Sequence, residues 1–484
     1  VNNTVWTSVA RIARGLIPLV LLAATGPSLW AAMPPNVLIL LGDDIDRDCL
    51  GPWGGQAQTP HLNQLAAEGI RLDQAYANVA MCAPFRQEFY SGRCCWRTQA
   101  MPNHSRSLPD TRSLPHYLRP LGYRVGLLGK QHIGPQQAYP FDDVGSLPKD
   151  KNPNRRAEQL ARQYICSARD AGVPFCLVVA SHDAHGPSTH GDRSRYGQAT
   201  LQLPDDAIDT PEYRAELAAH LAEVTNLDNL LGSLRNMLQE ENLSTNTLIL
   251  FCSEQGNALP FAKWTCFNDG LATGVIAALP GAIPADTHSS QLAWVADLAP
   301  TLVEAAGGSP TELGCDGKSQ WKNWTGGNEE LHRYAYGAFC NCNIIDNRAR
   351  IYPIRSIRDT RYTLIWSPRH DEELTSNTTL SRALSLIEGE SLKRPPDTAA
   401  SWVLAAKQSA LPREVKLINR LHHRPEWALY DRQEDPEELE NLFELSTMEP
   451  IRERLQQALI TWLARWDDQD PVATERRFVR GQKQ

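Results

Sequence analysis

Short uninterrupted apolar runs recur along the chain. NVLILL (36–41), YRVGLLG (123–129), PFCLVVA (174–180), NTLILFC (246–252) and TGVIAAL (273–279) are each of strand length. They do not alternate with polar residues, so each predicts a strand covered on both faces, as in parallel sheets. Helical segments lie between them. In TPHLNQLAAEGI, Thr59 suits an N-cap, Pro60 the first helical position, and Leu62, Leu65 and Ala66 share a face. The longest helical pattern runs over 211–239. This alternation predicts an α/β fold with helices on both sheet faces. After about residue 345 the rhythm changes. YPIRSIRDTRYTLIWS predicts two antiparallel strands turning at Asp359–Thr360. MEPIRERLQQALITWLARWDDQ predicts an amphipathic helix with Ile451, Leu455, Leu459 and Trp462 on one side. We expect a large α/β domain over 33–345 and a smaller α+β domain over 346–484, ending in a mobile basic tail, RRFVRGQKQ.

Residues 1–32 read differently. Arg11 and Arg14 precede the apolar run GLIPLVLLAATG, and small residues follow. That is the pattern of a cleaved signal peptide. The run contains Pro18 and falls short of the about 20 apolar residues of a spanning helix. We expect export to a periplasmic or extracellular location and no membrane span in the mature chain. Disulfides persist in such compartments. The eleven cysteines are an odd number, and their spacings form no zinc pattern. The formal net charge of −8 argues against nucleic acid as a partner, which calls for a basic stripe. It leaves room for an anionic ligand in a locally positive pocket. Homo-oligomerisation is left open.

In open α/β sheets ligands bind at the carboxyl ends of the strands. Four predicted strands end in charged or metal-competent residues there. Asp43 and Asp44 follow the first, Lys130 and His132 the second, His182 and His185 the third, and Glu254 and Gln255 the fourth, with Lys263 a little beyond. Each pair alone also fits a turn, a cap or a solvated surface. Together, the three carboxylates and one amide oxygen form a hard donor set suited to Ca²⁺ or Mg²⁺. The three-residue spacing of His182 and His185 also suits a transition metal, but no third soft ligand accompanies it.

Cys82 lies in MCAPFRQEFYSGRCC, where a helix is predicted to begin. On the residues alone Cys82 is open to four roles: a disulfide partner, a metal ligand, a buried small hydrophobe or a nucleophile. CAPFR followed by SGR resembles the modification signature of the formylglycine-dependent sulfatases, C-x-P-x-R. LGDD, TPHLNQLAAEGIRLDQAYAN and GYRVGLLGKQHIG are similar to other sulfatase blocks, in the same order. GKQHIGPQQAYPFD, HDAH, YPIRSIRDTRYTLIW and EWALYDRQEDPEELENL resemble the N-sulfoglucosamine sulfohydrolase branch.

The resemblance implies an alkaline-phosphatase-like fold, a large mixed sheet sandwiched by helices, with a smaller C-terminal α+β domain. It implies a sulfatase acting on sulfate esters or N-sulfates of sulfated saccharides. A maturation enzyme would convert Cys82 to formylglycine, whose hydrate is the nucleophile, with Arg86 holding it. Asp43, Asp44, Glu254, Gln255 and the Cys82 position would bind one divalent cation, Ca²⁺ with Mg²⁺ as the alternative. Lys130, His185 and Lys263 would contact sulfate or the leaving group, and His132 would accept a proton. One departure stands out: most sulfatases carry Asp followed by Asn or His where this chain has Glu254 and Gln255. A phosphonate or phosphate-ester hydrolase and a non-catalytic glycan-binding relative are the rival readings.

Overall fold

The computed structural model describes residues 1, 34–147, 153–340, 350–374, 398–409 and 411–481. The expected signal peptide and Cys342 lie outside the described residues. Eight strands build the main sheet: β1 (Asn36–Leu41), β2 (Ile70–Tyr76), β3 (Arg124–Gly129), β4 (Asp142–Gly145), β5 (Phe175–Ala180), β6 (Thr247–Cys252), β7 (Val275–Ala278) and β8 (Thr287–Trp294). Their order is β4-β3-β5-β1-β6-β7-β2-β8. The continuous apolar runs became the interior strands. β1 is flanked by parallel β5 and β6, and every residue of these three is buried. β7 runs antiparallel to both its neighbours, which makes the sheet mixed.

Alternate residues of β1 feed two separate cores, as the two-residue period of a strand requires. Leu38 and Leu40 join one face, packed against Leu227, Leu230 and Leu231 of the helix Pro211–Glu240. Val37, Ile39 and Leu41 join the other, with Phe85, Phe89 and Tyr90. Helices therefore cover both faces, the first of them α1 (Pro60–Glu68), which buries Leu62 and Leu65.

A second, antiparallel sheet follows: β9 (Ala335–Phe339), β10 (Ile354–Arg358), β11 (Tyr362–Trp366) and β12 (Trp427–Asp431), in the order β12-β11-β10-β9. β10 and β11 are the predicted hairpin. β9 pairs with β10, so the small sheet recruits a strand from before residue 346. In the helix Glu449–Arg465, Leu455, Leu459 and Trp462 are buried, while Ile451 is half-buried. The expected mobile tail is corrected for residues 476–481, and 482–484 lie outside the described residues. Residues through Gly481 form the helix Pro471–Gly481, because Phe478 and Val479 have a core to pack against.

Candidate active site

The carboxyl ends of β3, β5, β1 and β6 lie side by side, and each delivers its polar residues to one edge. Close packing fixes the exits. Gly129 has φ +93°, and a Cβ there would stand 2.1 Å from the Ala180 carbonyl oxygen. Only glycine lets β3 release Lys130 at this point. A Cβ on Gly256 would meet the Asp269 carbonyl oxygen at 1.9 Å, which pins the turn carrying Glu254 and Gln255. Asp44, His132 and Glu254 all have positive φ. Such left-handed non-glycine residues cluster where function over-determines the backbone.

Cys82 is the first residue of helix α2 (Cys82–Ser91), and all ten residues of that helix are buried. Its Sγ lies 3.3 Å from Lys263 Nζ, 3.5 Å from Asp44 Oδ1 and 3.8 Å from Gln255 Nε2. Burial, then Asp44 and Glu254, push the thiol well above its ordinary pKa. A thiol so held stays protonated and is a poor nucleophile as it stands.

Arg86 ties the edge together. It donates to the Lys130 carbonyl at 3.0 Å and to the Gly42 carbonyl at 3.2 Å, and it lies 3.8 Å from Asp43 Oδ1. Its Nε stands 2.6 Å from Glu254 Oε1, yet neither atom makes an aligned hydrogen bond, so this is an ion contact only. Lys130 Nζ donates to Asp43 Oδ2 at 2.5 Å, and Lys263 Nζ lies 2.6 Å from both Asp44 oxygens. Burial works to raise Asp43, but Lys130 and Arg86 outweigh it and hold the carboxyl below its ordinary range. Glu254 moves the other way: burial, opposed by Arg86 and reinforced by Asp43, raises it.

The fit to a cation is read from the buried oxygens. Asp43 Oδ1, Glu254 Oε1 and Gln255 Oε1 are buried and accept no hydrogen bond. Ligand atoms of Asp43, Asp44, Cys82 and Glu254 lie within 4.8 Å of one another. Orphaned buried oxygens are costly unless something satisfies them. Oxygen donors of this kind suit a hard divalent ion. Glu254 reaches this centre despite its extra methylene, its Oε2 accepting from the Asp44 amide at 3.3 Å, whereas the Gln255 amide atom that meets Asp44 Oδ1, at 2.6 Å, is its Nε2.

The histidines stand at the rim. His185 is exposed, its Nε2 3.7 Å from Asp44 Oδ2 and its Nδ1 2.7 Å from the Gly186 carbonyl oxygen. Asp183, between His182 and His185 in the chain, accepts from Asn226 at 2.8 Å and pairs with His190 at 2.8 Å, a bracing role. His132 Nε2 lies 2.7 Å from His104 Nδ1. Burial, then Lys130 and His104, lower His132 to about 3. His104 is the residue that reading the sequence missed. It sits in the irregular segment after α2, near no strand end, where no strand ending or motif marks it; in the structure its φ is a left-handed 60°. Among the described residues the cysteines Cys49, Cys82, Cys94, Cys95, Cys166, Cys176, Cys252, Cys266 and Cys315 are free thiols.

Comparison with known proteins gives this edge its context. An ulvan-active sulfatase of Formosa agariphila is 26% identical over 433 residues, covering 89% of this chain and 80% of its own. N-sulphoglucosamine sulphohydrolase of Homo sapiens is 26% identical over 489 residues, covering 92% of each. Two solved structures share the fold. BT4656, in complex with its substrate D-glucosamine-2-N,6-O-disulfate, superposes with a TM-score of 0.68 at 18% identity, over 91% of this chain and 99% of its own. Phosphonate monoester hydrolase of Agrobacterium radiobacter gives 0.65 at 16%, over 89% and 96%. The sulfatase family model matches residues 35–309. That stretch is more than half of the chain and carries every converging side chain described above, so the protein is an enzyme of the sulfatase family.

Proposed function

We propose that this enzyme hydrolyses sulfate esters or N-sulfate groups of sulfated glycans, using Cys82 matured to formylglycine beside one divalent cation. The observation that carries the reading is the Cys82 thiol, buried at the start of α2 and 3.3 Å from Lys263, among carboxylates that keep it protonated. A thiol is unsuited to this place, whereas the hydrate of an aldehyde supplies an oxygen nucleophile. The relatives named for ulvan and N-sulphoglucosamine supply the substrate class.

Asp43, Asp44, Glu254 and Gln255 would hold the cation, Ca²⁺ or Mg²⁺, which would act as a Lewis acid toward oxygen. The local charge supports this. With a divalent ion holding all three carboxylates (Asp43, Asp44, Glu254) ionised, they balance three cations (Arg86, Lys130, Lys263), so the ion's own charge is left to accept a sulfate. Lys130 and Lys263 are then available to the non-bridging sulfate oxygens, where charge develops. His185, exposed at the rim, protonates the leaving atom. His132 is neutral at working pH and accepts a proton as sulfate is expelled. An anion beside Lys130 offsets the positive field that holds His132 down, so substrate strengthens this base. Domain limits near residue 345, export and a maturation enzyme as partner belong to the same proposal.

The test is a mass measurement on the Cys82 peptide from protein produced with a formylglycine-generating enzyme, paired with Cys82→Ala. An aldehyde at position 82 and an alanine variant without sulfate release are expected. An unmodified thiol in fully active enzyme overturns the reading, as does sulfate release by Cys82→Ala. Dominant turnover of an aryl phosphonate over sulfated saccharides would assign a different reaction.

A further inference from the structure

A cavity of about 1000 Å³ opens between the segment that follows α2 and the C-terminal helices. That is the upper end of the about 300–1,000 Å³ range of small-ligand sites. His104, on one wall, is the link to the reaction centre, since its Nδ1 is 2.7 Å from His132 Nε2. Trp96 and Trp466 contribute to the walls, with Phe478 from the helix Pro471–Gly481. Trp96 is fixed in place by donating to Asp468 at 2.7 Å. Trp466 is half-buried and presents ring surface to the cavity.

The charges along the walls are unequal in their partners. Asp468 is held by Arg355 at 2.6 Å. Asp467 pairs with Arg477 at 3.1 Å. Arg106 is exposed, and among the described residues its guanidinium makes no hydrogen bond or ion pair. It also lines an adjoining cavity of about 450 Å³ walled by Gln131 and Ile133, on either side of His132 in the chain. An unpaired guanidinium and an indole face, next to the reaction centre, match the two chemistries of an acidic sugar. Guanidinium binds carboxylate or sulfate through parallel hydrogen bonds, and an aromatic face takes the apolar C–H face of a pyranose ring.

We propose that this cavity is a subsite for the saccharide units adjoining the one whose sulfate is cleaved. Arg106 recognises an anionic group there, and Trp466 stacks a ring. This rests on the sulfated-glycan reading above and adds that the enzyme favours chains over single sugars.

The experiment compares kcat/KM on a sulfated monosaccharide and on a sulfated tetrasaccharide with the same terminal unit. The parent enzyme is expected to prefer the tetrasaccharide. Arg106→Ala and Trp466→Ala are each expected to cut that preference roughly tenfold, chiefly through KM, and Arg106→Lys to restore part of it. Among the described residues the Arg106 guanidinium makes no hydrogen bond or ion pair, so its variants are expected to fold normally. A parent preference of one, or a preference unchanged in both variants, overturns the subsite. Calorimetric titration of the tetrasaccharide into Cys82→Ala reads the cavity without turnover. Adding Arg106→Ala should weaken that binding, and equal binding overturns the proposal. Tetrasaccharide binding dependent on Arg106 but without turnover by the parent would reject the sulfatase reading of this substrate and leave the subsite standing.

Discussion

Two buried charge clusters in this molecule are built in opposite ways. In the small sheet, Arg355 makes a two-pronged contact with Asp468, at 2.6 and 3.2 Å, and donates to the carbonyls of Phe339 and Ile354. Trp96 completes Asp468 at 2.7 Å. No polar side-chain atom of this pair is left over. At the edge of the large sheet, Asp43, Glu254 and Gln255 each keep a buried oxygen without a hydrogen bond. At that edge Asp44, His132 and Glu254 have positive φ, whereas Arg355 sits in regular strand. The Arg355–Asp468 pair, which serves the fold, closes its own hydrogen bonds. A cluster that serves chemistry leaves oxygens for what it binds, and the surrounding fold holds it there.

The largest effect is expected from breaking the closed pair. Asp468→Ala strands a buried guanidinium and removes the Trp96 acceptor, so it should cost about 3–5 kcal/mol of stability, read from denaturant unfolding. Exchanging both partners, Arg355→Met with Asp468→Leu, should cost less than the single change, because no unpaired charge remains. A single variant as stable as the parent would dissolve the contrast.

The open cluster should respond in binding rather than in stability. Burial and Asp43 already favour the neutral form of Glu254 in the metal-free protein. Glu254→Gln should therefore leave metal-free unfolding nearly unchanged. It should weaken Ca²⁺ in calorimetric titration and lower sulfate release by roughly 100-fold, about 2.7 kcal/mol. A strong loss of metal-free stability with cation affinity intact would place Glu254 with the structural charges instead.

The same division decided what could be read in the sequence. Interior strands were legible because their apolar runs stop abruptly at charge: Leu41 before Gly42–Asp43, Gly129 before Lys130, Cys252 shortly before Glu254. Every predicted site residue except Lys263 comes from such an ending or from the Cys82 motif. The peripheral strands were not legible. β4 is polar and mostly half-exposed, and the first half of β8 is exposed or half-buried, so neither shows a buried-strand run. β2 mixes buried and half-buried positions in a way that suits several readings. His104 reaches the site through a loop, and no periodicity marks a loop residue that approaches only in three dimensions.

A smaller effect comes from pH. Burial, then Lys130 and His104, hold His132 at about 3 in the folded protein, against about 6.5 unfolded. A depressed histidine contributes its full share above pH 6.5 and loses it as pH falls from there through 3. At pH 5 the loss should be about 1 kcal/mol, after allowing for the partial exposure of the ring. His132→Gln should remove this component, seen as a parent–variant difference in urea midpoint that changes between pH 5 and pH 7.5. A constant difference would mean that the neighbouring cations do not act on His132 as its surroundings imply.

The smallest and most specific effect concerns His104. His132 Nδ1 is buried and makes no hydrogen bond, while Nε2 faces His104 Nδ1 at 2.7 Å. With His104 accepting at Nδ1, the His132 proton stays on Nε2 and Nδ1 keeps its lone pair, which is the form a base requires. His104 also contributes to holding His132 down, so its loss should raise the His132 pKa. His104→Ala should therefore move the acid limb of the kcat profile to higher pH and lower kcat about threefold at neutral pH. A merely structural histidine would alter KM or stability and leave the limb in place. Because His104 also lines the proposed subsite, the monosaccharide is the substrate to use: a shifted limb there reports on His132 alone, and an unshifted one removes His104 from the reaction centre.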